Sequence, residues 1–128
     1  MDIDSKAKIM SKTSSKKLTA DALTAYNDLY LKKGDYDGLI LTTDGKSISL
    51  ESKVQSNVKS IEALLGDATR FVILEVKGKL VIILWKPETS KPMEVMKYNS
   101  VRGALEQELG NLKAFTCTNK EELASVLG

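Results

Sequence analysis

Two hydrophobic periods alternate along this chain and divide it into elements. Leu23, Tyr26, Leu29 and Tyr30 recur at helical spacing. Thr19 stands before them as a capping residue, Asp21 falls in the first turn, where a carboxylate is favourable, and Gly34 is a natural stop. Tyr36 to Thr42 and Lys46 to Glu51 flank an Asp44-Gly45 turn, which reads as a hairpin with Ile48 and Leu50 directed at the core. Val54, Val58, Ile61 and Leu65 form a second helical stripe closed by Gly66. Phe71 to Leu74 and Leu80 to Trp85 are continuous apolar runs on either side of Lys77-Gly78-Lys79. They read as central strands covered on both faces and joined by a tight hairpin.

Residues 92 to 109 then return to the helical period. At about 100° per residue, Tyr98, Val101, Leu105 and Leu109 fall on one stripe, which Leu112 extends. That stripe is expected to pack on the sheet. Met93, Met96, Ser100, Gly103 and Gln107 then lie on the opposite side, and Pro92 is tolerated in the first turn. Thioethers adapt to an irregular groove, and small residues let a second surface approach. Lys91, Lys97 and Arg102 flank this ridge and could meet acidic groups. The pattern admits either a partner surface or a solvated face with incidental methionines. Leu112 to Cys117 reads as a short strand. Thr118 or Asn119 caps a last helix carrying Leu123, Val126 and Leu127. A sheet with two covered faces needs helices on both sides. The expected fold is therefore α/β, a single-domain mixed sheet of about five strands sandwiched between helices.

Composition mostly excludes. The chain has 128 residues, 42% hydrophobic and 28% charged, which suits one soluble domain able to bury a core without metals or disulfides. A net charge of +2 does not call for nucleic acid. There is no histidine and a single cysteine, Cys117. The commonest general base, an internal disulfide and a thiolate metal cluster are thereby removed, so neither an enzyme nor a cofactor is expected. No apolar run reaches membrane-span length and no secretory signal is seen, so a cytoplasmic, monomeric protein is expected. Residues 1–17 hold Lys6, Lys8, Lys12, Lys16 and Lys17 among serines and are expected to form a flexible tail, with the domain over 18–128.

Several of these runs occur in a suggestive order. Arg70-Phe71 opens one apolar strand, and the next ends Trp85-Lys86-Pro87-Glu88. Met96-Lys97-Tyr98-Asn99-Ser100 follows, with Arg102 and Ala104-Leu105 beyond. This resembles the actin-depolymerising factor/cofilin homology (ADF-H) family, in which a strand ends W-x-P-E and a helix reads M-x-Y-x-S-x-K/R-x-A-L/I. Leu18-Thr19-Ala20-Asp21 and Tyr26-Asn27-Asp28-Leu29 look like the family's first helix. Ile40, Asp44-Gly45-Lys46, Ile48 and Leu50-Glu51 look like its first hairpin. The resemblance spans residues 14 to 127.

It implies an ADF-H/gelsolin-like fold and a cytoskeletal protein that binds actin monomers and promotes filament turnover, without cofactor or catalysis. The implied monomer-type surface comprises Ser14, Ser15 and Lys16 with Lys91, Met93, Met96, Lys97, Ser100, Arg102 and Gly103. The implied filament-type surface comprises Lys77, Lys79, Glu121 and Glu122. Ser14 matches the family's regulatory phosphorylation site. Met93 and Val95 stand where the family often has lysines. The central hairpin is cut to Lys77-Gly78-Lys79, so weak severing is expected. Two alternatives stay open. One is a glia-maturation-factor-like binder of the actin-related branching complex, to which Lys91-Pro92 and the Phe115, Asn119, Leu123 spacing are similar. The other is a binder of phosphoinositides or another acidic ligand through the lysine tail.

Overall fold

The computed structural model describes residues 18–32, 35–55, 57–66, 68–110 and 112–127, without the side chain of Val58. The expected tail, with Ser14, Ser15 and Lys16, and the stop expected at Gly34 lie outside these residues. The elements are α1 (Ala20–Tyr30), β1 (Gly38–Thr43), β2 (Ile48–Val54), α2 (Val58–Leu65), β3 (Arg70–Val76), β4 (Lys79–Trp85), α3 (Pro92–Glu108), β5 (Lys113–Cys117) and α4 (Lys120–Leu127). The strands form one mixed sheet in the order β2-β1-β3-β4-β5. The β4–β5 pair is parallel and the others are antiparallel. A parallel pair needs a crossover, and α3 supplies it.

Both faces of the sheet are covered. Phe71, Ile73, Ile82 and Leu84 face α1 and α3, where they meet Tyr26, Tyr98, Val101 and Leu105. Val72, Leu74, Val81 and Ile83 face α2 and α4, where they meet Ile61, Leu65 and Leu123. Strands buried on both sides cannot alternate apolar with polar, which is why β3 and β4 read as continuous runs. Their connection is the two-residue turn Lys77-Gly78, both at positive φ (53° and 83°), the twist that a tight hairpin requires. The Tyr26 hydroxyl donates to the Leu109 carbonyl at 3.2 Å and ties α1 to the far end of α3.

Two expectations need correction, and two others are made definite. First, α1 ends at Tyr30, with the amides of Leu31 and Lys32 closing on the carbonyls of Asn27 and Leu29. Its buried stripe is Ala22, Leu23, Ala25, Tyr26 and Leu29, so Tyr30, one step past that stripe, is 37% exposed. Second, Val54 is the last residue of β2 and not part of a helix. Asn57 starts α2, its Oδ1 accepting the Ser60 amide at 2.8 Å. Ile48 and Leu50 do face the core: Ile48 is fully buried, and Leu50, half-buried, packs against the same cluster. The register passes from Ile40↔Ser52 to Leu41↔Leu50, so Glu51 is the extra residue of a β-bulge. Of the two candidate caps, Asn119 is the one that opens α4, its Oδ1 accepting the Glu122 amide at 2.9 Å. Thr118 instead donates its amide and hydroxyl to the Glu122 carboxylate, at 2.6 and 2.9 Å.

Cys117 is buried at the end of β5. Burial pushes its thiol up to about 11, with the Glu122 carboxylate adding to the shift, so the thiolate is scarce at neutral pH.

Candidate functional site

The helix α3 places its side chains as the period requires. Tyr98, Val101 and Leu105 are buried against the sheet, and Leu109 closes the stripe. Met93 is 80% exposed and Met96 69%, with Ser100, Gly103 and Gln107 also exposed along the outer side. Lys91, Met93, Glu94, Met96 and Lys97 line a shallow depression of about 420 Å³. Two long apolar side chains held in water near one another form a ready contact for a partner, since burying each is worth roughly 1.5–3 kcal/mol.

The flanking cations are not equivalent. Lys91 occupies the cap position before Pro92 and is exposed. Lys97 reaches Glu94 at 3.1 Å, and its stem lies over the β1–β2 turn, where a Cβ added to Gly45 would come within 3.1 Å of Lys97 Cγ. Gly45 also sits at φ 97°, a conformation that strains any larger residue there. Arg102 differs from the expectation of a ridge cation. Its guanidinium donates to Glu106 Oε2 at 2.9 Å, Thr116 Oγ1 at 3.1 Å and the Phe115 carbonyl at 3.3 Å. It braces α3 against β5 and does not stand free on the ridge.

The start of the described chain lies at the same end of the molecule. Leu18 forms a parallel bridge with Ile48, and the Thr19 amide donates to the Ile48 carbonyl at 2.9 Å. Ile48 pairs with Thr43 across the Asp44–Ser47 turn that touches Lys97. In that turn the Asp44 carboxylate accepts the Lys46 and Ser47 amides, both at 2.8 Å. The Ser47 and Lys46 amides hold it below the usual carboxylate range.

The residues expected to form a filament-type surface are not brought together. Lys77 and Lys79 are exposed at the tip of the β3–β4 hairpin. There they border a cleft of about 920 Å³ that is also lined by Lys32, Leu80, Lys113 and Val126. Glu121 and Glu122 belong to the first turn of α4, which follows β5 at the opposite end, where Cys117 pairs with Trp85. Glu122 is moreover committed to Thr118, whose amide and hydroxyl hold its carboxyl below the ordinary range. It is the C-terminal part of α4, near Val126, that shares an end with the hairpin tip.

Pattern reading missed one polar network. The Tyr98 hydroxyl lies 2.9 Å from Thr42 Oγ1 and accepts the Thr43 amide and Arg70 Nη1, both at 3.3 Å. With two donors aimed at its oxygen, its own proton goes to Thr42. Arg70 also ion-pairs with Glu51 and donates to the Thr69 carbonyl at 2.6 Å. Thr69, itself buried, donates its hydroxyl to Ser90 Oγ at 2.8 Å. The signal in the sequence was Arg70, a charge opening an otherwise apolar strand, and a tyrosine at a core position whose hydroxyl needs a partner.

Among the described residues, no helix is long and apolar enough to cross a membrane, and no group of three or more His, Cys, Asp or Glu side chains could hold a metal ion.

A buried apolar stripe under an exposed methionine ridge, on the crossover helix of a five-stranded mixed sheet, defines an ADF-H architecture. The family model of the cofilin/tropomyosin-type actin-binding proteins matches residues 15–126, and the chain belongs to that family. Its fold is similar to that of Streptomyces griseoflavus cofilin, with TM-score 0.71 and 22% identity over 87% of this chain and 94% of that one. Plasmodium berghei actin depolymerization factor 2 gives a TM-score of 0.74 at 18% identity, over 90% of this chain and 97% of that one. Human coactosin-like protein gives 0.68 at 16% identity, over 88% and 83%. A comparison with curated protein sequences finds no match.

Proposed function

We propose that this protein binds monomeric actin through the outer ridge of α3 together with its N-terminal segment, and that it promotes filament turnover with little severing. One observation carries the reading: two neighbouring methionines stand mostly in solvent on a helix whose opposite side is fully buried. Met93 and Met96 would supply the apolar contact. Ser100 and Gly103 allow close approach, and Lys91 and Lys97 favour an acidic partner and a fast encounter. Arg102 contributes by holding α3 in place. Leu18 is anchored beside the turn that touches Lys97, which favours a single surface shared by Ser14, Ser15, Lys16 and the ridge. A phosphate on Ser14 would then add negative charge beside Lys16 and Lys17 and oppose docking on an acidic partner.

The weak-severing expectation is supported by the hairpin. Only Lys77 and Gly78 lie between β3 and β4, so the lysines there reach little beyond the sheet. The residues that resemble the glia-maturation-factor subgroup have structural uses here: Asn119 caps α4 and Leu123 is buried. A titration of labelled monomeric actin, with ADP and with ATP bound, tests the reading. Saturable binding in at least one nucleotide state is expected, and none in either would refute it. In single-filament microscopy, filaments are expected to shorten mainly from their ends, with only infrequent breaks along their length. Rapid breakage along their length would show that a two-residue hairpin turn suffices.

A further inference from the structure

The first turns of α3 are fastened at two points to the same pair of residues. Thr69, buried just before β3, holds the half-buried Ser90, which lies just before α3, through a 2.8 Å hydroxyl contact. Arg70, the first residue of β3, holds Tyr98, in the second turn of α3, at 3.3 Å, and shares that hydroxyl with Thr42 Oγ1 at 2.9 Å and the Thr43 amide at 3.3 Å on β1. Met93 and Met96 lie between these two points. Arg70 is itself held: Glu51, the extra residue of the β2 bulge, ion-pairs with it, and the Thr69 carbonyl accepts from Nη1. Apolar packing contributes less to this part of the helix. The first buried residue of α3 is Tyr98, so the six residues from Pro92 to Lys97 are positioned largely by their ends.

We infer that Thr69 and Arg70 form a clamp that positions the methionine ridge, with Tyr98 and Ser90 as its grips and Glu51 as its brace. The inference rests on the actin-binding reading for its consequence, but not for its geometry. A ridge fixed before the encounter binds without first losing helix and side-chain freedom, so the clamp acts through pre-organisation. None of Thr69, Arg70, Glu51 and Thr42 belongs to the ridge itself. They are positioning residues.

Two variants loosen the two grips separately. Tyr98→Phe keeps the ring and removes the hydroxyl, with its contacts to Arg70, Thr42 and the Thr43 amide, and Thr69→Val removes the hydroxyl and keeps the shape. Thr69→Ser is the rescue, and Ile83→Val, on the opposite face of the sheet, is the control for general destabilisation. Amide hydrogen exchange at 25 °C reads the clamp without actin. Tyr98→Phe and Thr69→Val should each speed exchange at residues 94–97 by about 10-fold or more, leaving residues 101–105 unchanged. Thr69→Ser and Ile83→Val should leave both segments alone. In the monomer titration the same two variants should bind about 10-fold more weakly, the scale of one lost anchoring hydrogen bond. Exchange that rises evenly along α3, or not at all, would overturn the clamp. So would affinity equal to that of Ile83→Val. If the unsubstituted protein binds no actin, the function fails while the exchange result still decides the clamp.

Discussion

Replacing Met93 and Met96 together by glutamate is expected to weaken binding to monomeric actin by at least about 100-fold while leaving the fold intact. Burial of a methionine side chain is worth roughly 1.5–3 kcal/mol, so losing two such contacts removes about 3–6 kcal/mol, where each 1.4 kcal/mol is tenfold. Glutamate adds a desolvation cost and repels an acidic partner. The fold should not notice. Both positions are mostly solvated, and surface changes of this kind usually stay within about 0.5 kcal/mol. Position 93 is in the first turn of α3, where a carboxylate interacts favourably with the helix dipole. The melting temperature should therefore move by less than about 4 °C. Arg102→Glu is the wrong companion for this test. It would set a carboxylate beside Glu106 and the Phe115 carbonyl and release α3 from β5, so that lost binding could reflect lost structure.

The largest effect on stability is expected from Phe71→Ala. Phe71 is fully buried on the central strand β3, between Leu41 and Leu84 in the neighbouring strands. Its ring meets that of Tyr98 at 5.1 Å between centroids, with the planes tilted by 54°. Truncation removes the ring and leaves a cavity between sheet and helix, at a cost of about 3–5 kcal/mol. Domains of this size hold about 5–15 kcal/mol in all. The same substitution takes away the surface that seats Tyr98, so α3 loses both packing and alignment. Urea unfolding followed by tryptophan fluorescence of Trp85 checks it. A loss below about 1.5 kcal/mol would mean that the helix relaxes into the space, and that Phe71 is not what seats it.

The parts of this architecture that could be read in the sequence are those set by local period. The Tyr98, Val101, Leu105 stripe and the opposing methionines follow from helical spacing alone, and the Lys77-Gly78 turn follows from the break between two apolar runs. Errors arose where one period continues by coincidence into another element. Val54 is in helical phase with Val58, Ile61 and Leu65, yet it ends a strand, and the Asn57 cap was the signal that separates them. Tyr30 fits a helical step but lies just beyond the face that Ala22 and Ala25 fill. Arg102 and Glu106 are four residues apart on a helix, so their pairing was within reach. The contact of Arg102 with β5 was not, because it depends on tertiary packing. The same holds for the Tyr98 hydroxyl, whose partners lie 28 to 56 positions away. Glu121 and Glu122 were grouped with the hairpin lysines through resemblance, whereas the parallel β4–β5 pairing puts the start of α4 at the other end of the sheet.

Methionine methyl resonances report on the ridge directly, with the native side chains in place. In protein carrying ¹³C-methyl methionine, addition of unlabelled monomeric actin should shift or broaden the Met93 and Met96 methyl signals and shield them from a soluble paramagnetic agent. Binding of actin with both signals unmoved and still open to that agent would place the contact elsewhere on the domain and contradict the account.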